Sequence, residues 1–138
     1  MESQTKVIIN LNEANILNKE FKNSIRPVIV LDLDDTIINC SLIRKSSYSF
    51  SIKIGNHQRA YINSRPGLHE FLKEVSSMFE IFFFTASSNI YGNQIINIMA
   101  PETPDNHRLF RDSCKNIFGY SVKDLSILDR PMNKIMLI

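Results

Sequence analysis

Residues Val28-Ile29-Val30-Leu31 form an unbroken apolar run that leads straight into Asp32-Leu33-Asp34-Asp35-Thr36. A strand with no polar position is buried on both faces, the environment of a parallel sheet whose faces are covered. Carboxylates cannot follow into that interior. They therefore mark the place where the chain leaves the sheet at its C-terminal edge, where open α/β sheets bind their ligands.

The rest of the chain fits around that strand. Glu80-Ile81-Phe82-Phe83-Phe84-Thr85 repeats the design, an apolar strand ending in a hydroxyl, and Lys134-Ile135-Met136-Leu137-Ile138 begins another. Tyr48, Phe50, Ile52 and Ile54 alternate, Gly55-Asn56 supplies a turn, and residues 59–62 read as extended, so a β-hairpin is predicted over about 48–62. Pro66 opens a helix that buries Leu68, Phe71, Leu72, Val75, Met78 and Phe79. A second helix, capped by Ser87 or Ser88, buries Tyr91, Ile95, Ile98 and Met99 and ends at Pro101 and Pro104. Residues 108–111 and 121–122 read as extended. The order β–(hairpin)–α–β–α–β–β predicts an α/β fold, a Rossmann-like parallel sheet with helices on its faces and the hairpin inserted after the first strand. Residues 1–26 are expected to be an N-terminal arm, with Val7, Ile8, Ile9 and Leu11 as a short strand, ahead of one domain over 27–138.

Composition excludes several function classes. A net charge of +2 without a basic run gives no electrostatic footprint for direct nucleic-acid binding. No apolar stretch approaches a membrane span or a secretory leader, so Asn39-Cys40-Ser41 is read as a chance match to a glycosylation site. Cys40 and Cys114 lack a CxxC partner and read as reduced thiols, which suits an intracellular compartment, nucleus or cytoplasm. His57, His69 and His107 have no ligand spacing and are assigned surface or structural roles.

Asp32 and Asp34 stand two residues apart where the strand ends, so both can approach one phosphate. Two carboxylates suit Mg²⁺, which takes hard oxygen ligands and keeps several waters. One carboxylate can instead attack phosphorus and form an aspartyl-phosphate, while the other protonates the leaving oxygen and later deprotonates water. A bare Asp-x-Asp more often marks a solvated turn or a helix cap. The apolar strand before it and Thr36 after it turn the reading toward a site.

Val30-Leu31-Asp32-Leu33-Asp34-Asp35-Thr36 resembles the first motif of the haloacid dehalogenase superfamily. Other segments resemble one branch of it, the phosphatases acting on the C-terminal domain of RNA polymerase II, with the NLI-interacting-factor-like proteins. These are Ser64-Arg65-Pro66-Gly67-Leu68-His69-Glu70-Phe71-Leu72, Phe83-Phe84-Thr85-Ala86-Ser87, Arg108-Leu109-Phe110-Arg111-Asp112-Ser113-Cys114 and Val122-Lys123-Asp124-Leu125-Ser126. The resemblance covers residues 27–138 and implies a Mg²⁺-dependent protein serine/threonine phosphatase acting on a phosphorylated protein segment. It makes Asp32 the nucleophile and a metal ligand. Asp34 becomes the general acid/base, with its backbone carbonyl on the metal. Thr85 would bind a phosphoryl oxygen, and Lys123 would neutralise the aspartyl-phosphate. Thr36, Arg65 and Ser87 are candidate substrate-binding residues, and Asp35 a structural carboxylate beside the site.

In the family the strand at 135–138 runs into a further acidic motif and a covering helix, and this sequence ends before both. The expectation is a metal site in which water replaces one protein ligand, and an uncovered apolar face open to self-association or a partner. A catalytically weak relative that binds phosphopeptides is the alternative reading. Between Ser88 and Asn93 the chain keeps a tyrosine but has Tyr-Gly-Asn where the family has Tyr-Ala-Asp.

Overall fold

Strand β1 (Val28–Leu31) is buried at all four positions in the computed structural model, which describes residues 26–138. The expected strand near Val7 lies outside the described residues. β1 pairs in parallel with β5 (Glu80–Phe84) on one side, Leu31 opposite Phe83, and with β9 (Ile135–Leu137) on the other, Val30 opposite Leu137. β6 (Arg108–Leu109) extends the sheet beyond β5 in parallel, giving the order β6-β5-β1-β9. All these strands leave at the same edge, so the residues after β1 and β5 converge there.

The stretch between β1 and β5 is larger than a hairpin. β3 (Phe50–Ile54) and β4 (Gln58–Ser64) pair antiparallel around a turn at Gly55, whose φ of 72° suits glycine. β2 (Ile38–Ser41) pairs along the other side of β4, making a three-stranded sheet in the order β2-β4-β3. Helix α1 (Leu68–Met78) begins after Gly67, which caps it in a left-handed conformation, so Pro66 stands just outside the helix. α1 buries Leu68, Leu72 and Val75, whereas Phe71 and Met78 stay exposed. α2 (Asn89–Met99) is capped by Ser88 and turns Gly92, Ile95 and Ile96 inward, leaving Ile98 outside.

The two faces of the sheet are covered differently. Ile29, Leu31 and Phe83 meet both helices and the three-stranded sheet in the larger core. Val28, Val30, Phe82 and Phe84 form a second cluster under Leu128, with Leu109, Cys114, Leu125 and Ile135 packed against it. Among the described residues this second face is covered by the turn Leu125–Leu128 and the chain around it, whereas α1 and α2 both pack on the first. A short hairpin, β7 (Lys115–Ile117) with β8 (Tyr120–Val122), precedes that turn; its first strand was not foreseen. At the β9 edge Met136, Leu137 and Ile138 remain about half exposed. Each fully buried Phe or Leu contributes roughly 1.5–3 kcal/mol, so Phe83, Phe84, Leu31 and Leu33 anchor the sheet just below the carboxylates. Among the described residues no helix is long and apolar enough to cross a membrane.

Candidate active site

The backbone of Asp32 is still part of the ladder, its N–H donating to Ile138 O at 3.1 Å. Its side chain has already left, with Oδ1 accepting from Leu33 N–H at 2.8 Å. Leu33 is fully buried, so the alternation of an extended chain places Asp34 on the side of Asp32. The turn then tightens. Leu33 O accepts from the N–H groups of Thr36, Ile37 and Ile38, and Asp35 adopts φ 59°, its carboxylate accepting from Asn39 Nδ2 at 3.2 Å. Asp35 is therefore a turn residue.

Three other side chains reach these carboxylates. Lys123, directly after β8, places Nζ 2.8 Å from Asp32 Oδ2 and lies 6.0 Å from the centre of the Phe84 ring. Ser87 Oγ donates to Asp34 Oδ2 at 2.8 Å, and Tyr91 Oη donates to Asp34 Oδ1 at 2.6 Å. Thr85 is 1% exposed and its Oγ1 accepts from Ser87 N–H at 3.1 Å, so the loop after β5 is folded around it. Arg111 joins the same loop: its N–H donates to Ser87 O and its Nε to Ala86 O, both at 2.9 Å.

Electrostatics keep the neighbours in fixed protonation states. Burial, the hydrogen bond to Asp34 and contact with the Cys40 thiol push the Tyr91 phenol above its ordinary range, so it stays a donor. Burial pushes the Cys114 thiol up, with Lys123 opposing, which keeps it from competing as a thiolate nucleophile. Beyond Lys123, the hydrogen bonds from Lys115 and Ser126 hold the Asp124 carboxyl at about 2, fixing the chain that carries the lysine.

Asp32, Asp34, Thr85, Ser87 and Lys123 are thus brought together. Thr36 and Arg65 are not part of that group. Arg65 Nε donates to Thr36 O at 2.8 Å, and the two line clefts of about 340 and 510 Å³ with Asp35, Ile37 and Pro66. None of Asp32, Asp34, Thr85 or Lys123 lines either cleft. Tyr91 is the residue that sequence reasoning missed as a site group, because its spacing matched the apolar face of α2. Its phenolic end was the only signal, since a tyrosine on a buried face needs a hydrogen-bond partner.

The donor set suits a hard divalent cation. Two carboxylates and a backbone carbonyl at a strand end are oxygen donors, and among the described residues no group of three or more His, Cys, Asp or Glu gathers to make a closed metal cage. A cation held by few protein oxygens and several waters fits that arrangement better than a tetrahedral zinc.

Residues 27–138 match the family model of NLI interacting factor-like phosphatases. A CTD small phosphatase-like protein 3 from Caenorhabditis elegans is 40% identical over 114 residues, covering 80% of this chain and 40% of that protein. A CTD small phosphatase-like protein 2 from Dictyostelium discoideum is 36% identical, covering 80% of this chain and 20% of its own length. The chain thus spans well under half of these curated relatives. Among solved structures, the fission yeast RNA polymerase II CTD phosphatase Fcp1 bound to beryllium fluoride superposes with a TM-score of 0.67 at 20% identity. That alignment covers 93% of this chain and 40% of the other, and it supports the fold.

Proposed function

The chain belongs to the NLI interacting factor-like phosphatases, and from that premise we propose that it is a Mg²⁺-dependent protein serine/threonine phosphatase working through an aspartyl-phosphate on Asp32. The observation that carries this reading is the contact of Lys123 Nζ with Asp32 Oδ2 at 2.8 Å, two residues from a second carboxylate held by hydroxyls. A carboxylate paired with a lysine at the mouth of a sheet has both the nucleophilic oxygen and the cation that phosphoryl transfer needs.

In the first half-reaction Asp32 Oδ bonds to phosphorus as the ester P–O bond breaks, and Asp34 gives its proton to the departing oxygen. In the second, Asp34 takes a proton from water as the water oxygen bonds to phosphorus and the Asp32–phosphorus bond breaks. Lys123 neutralises the extra negative charge throughout, and Thr85 orients a phosphoryl oxygen. The Asp32 carboxylate and the Asp34 backbone carbonyl would hold Mg²⁺, which supplies further neutralisation of the phosphoryl charge. Ser87 acts on Asp34, and we keep Thr36 and Arg65 as contacts for substrate beyond the phosphate, through the clefts they line.

A short inserted sheet in place of an enclosing cap favours a protein segment as substrate, in line with relatives named CTD small phosphatase-like proteins. The unpaired thiols of Cys40 and Cys114 fit a reducing compartment, nucleus or cytoplasm. The half-exposed β9 edge is where we place self-association or a protein partner.

The test is hydrolysis of p-nitrophenyl phosphate at mildly acidic pH, with and without Mg²⁺, alongside Asp32→Asn. Metal-dependent turnover that disappears in the variant is the expected result. Folded protein without turnover would overturn the enzymatic reading and leave a phosphopeptide-binding module.

A further inference from the structure

Both oxygens of the Asp34 carboxyl are held by hydroxyl groups delivered by one short stretch of chain. Ser87 stands in the loop after β5 and Tyr91 in the first turn of α2, with the helix cap Ser88 between them. That junction therefore sets both hydroxyls at once. Gly92 lets it come close: a Cβ at this buried position would lie 2.6 Å from the Phe110 ring, so any other residue would force α2 or Phe110 away. The Tyr91 ring is packed against the larger core, which fixes where its hydroxyl ends.

A carboxyl that first gives and then takes a proton must occupy the same place in both states. Each carboxylate oxygen offers two lone-pair sites, so one hydroxyl on each oxygen leaves a site on each for the moving proton. A serine hydroxyl can also turn from donor to acceptor. The Tyr91 hydroxyl donates to Oδ1 at 2.6 Å from a ring that the core holds in place.

We propose that Tyr91 is a positioning residue for the proton transfer. With Ser87 it fixes the Asp34 carboxyl so that the proton reaches the oxygen leaving phosphorus. This rests on the proposed role of Asp34 as general acid. The Asp34 O–H bond breaks as the ester P–O bond breaks, and the new O–H bond forms on the departing serine oxygen. A serine alkoxide cannot leave without that proton, whereas p-nitrophenolate is already a stable anion. The clamp therefore matters for phosphoserine far more than for an aryl phosphate.

The experiment compares wild type, Tyr91→Phe and Ser87→Ala on a phosphoserine peptide and on p-nitrophenyl phosphate. Tyr91→Phe keeps the ring and removes only the hydroxyl. It is expected to lower kcat on the peptide at least about tenfold more than on the aryl ester, with KM little changed, because misplacing a catalytic group by about 1 Å costs up to roughly a hundredfold. Ser87→Ala shifts the ratio in the same direction. Equal losses on both substrates, or a rise in KM alone, would overturn the proposal. Wild type inactive on both substrates would instead fault the phosphatase reading. Crystal structures of wild type and Tyr91→Phe then decide the clamp separately: an Asp34 carboxyl that turns away in the variant supports it, and one that keeps its place overturns it.

Discussion

The two edges of the parallel sheet both gather charge, and they use it in opposite ways. At the N-terminal edge Glu80, the first residue of β5, receives Arg130 as a fork, Nε on Oε2 at 3.0 Å and Nη2 on Oε1 at 2.7 Å. His107 Nε2 stands 3.2 Å from the same Oε1, its ring stacked on Phe82 at 4.1 Å, and Arg130 lies 5.8 Å from that ring. Arg130 holds the Glu80 carboxyl below its ordinary range, and Glu80 holds the guanidinium above its own. Among the described residues, at the C-terminal edge Asp32 has one ammonium, on a flexible stem, and Asp34 has only neutral hydroxyls. A planar fork closes a charge cluster and a point charge leaves it open. The first arrangement serves stability; the second leaves oxygens ready for a ligand.

The comparison breaks if either edge does the other's work. Lys123→Met should lower turnover by about a hundredfold to a thousandfold, the usual loss when one stabilising group is removed from a phosphoryl or oxyanion site. The same change should alter unfolding free energy by less than about 1 kcal/mol, because a partly exposed pair contributes little. A large fall in the denaturation midpoint would show that the open pair is structural.

Glu80→Gln should do the reverse, leaving turnover unchanged and costing about 1–3 kcal/mol by stranding the partly buried Arg130 and His107. Acid sharpens the contrast. With the folded carboxyl held below its ordinary 4.5, the unfolded chain binds the proton first as pH falls. The stability from Glu80 is therefore complete above about 4.5 and is lost as pH drops through the depressed folded value. Thermal midpoints measured downward from pH 5 should fall more steeply in wild type than in Glu80→Gln; parallel curves would remove Glu80 from the account.

The same contrast explains what could be read from the sequence. β1 and its carboxylates were legible because four apolar residues and two aspartates follow one local rule each. Lys123 was legible only through resemblance, since nothing local says that a lysine after a three-residue strand will reach Asp32. Tyr91 was assigned to the core because its ring does pack there, while its hydroxyl crosses to a carboxyl 57 residues away. α2 was predicted to bury Ile98, but Gly92 draws the helix against Phe110 and rotates Ile96 inward instead. β2 escaped notice because only Ile38 of its four residues is buried, so it shows no alternation. The Glu80 cluster joins residues from β5, the chain before β6 and the chain before β9, which no spacing rule connects.

Arg108 follows neither edge and offers the finest test. It is 9% exposed and opens β6, yet among the described residues it has no carboxylate within ion-pair distance. Its guanidinium is held by Thr103 O at 3.0 and 2.7 Å, Asn97 Oδ1 at 2.6 Å, Asn93 Oδ1 at 3.3 Å and Pro101 O at 3.4 Å, all neutral. If closing a charge cluster is what stabilises the Glu80 edge, then giving Arg108 a counter-charge should stabilise this one. Asn93→Asp keeps the shape and replaces a weak amide contact with a charged one, which should add about 1 kcal/mol. In a domain of this size that raises the thermal midpoint by about 3–5 °C. A fall would mean that desolvating the new carboxylate outweighs its attraction to Arg108. The stability of the Glu80 cluster would then come from its geometry, the fork and the stacked rings, and not from the pairing of opposite charges.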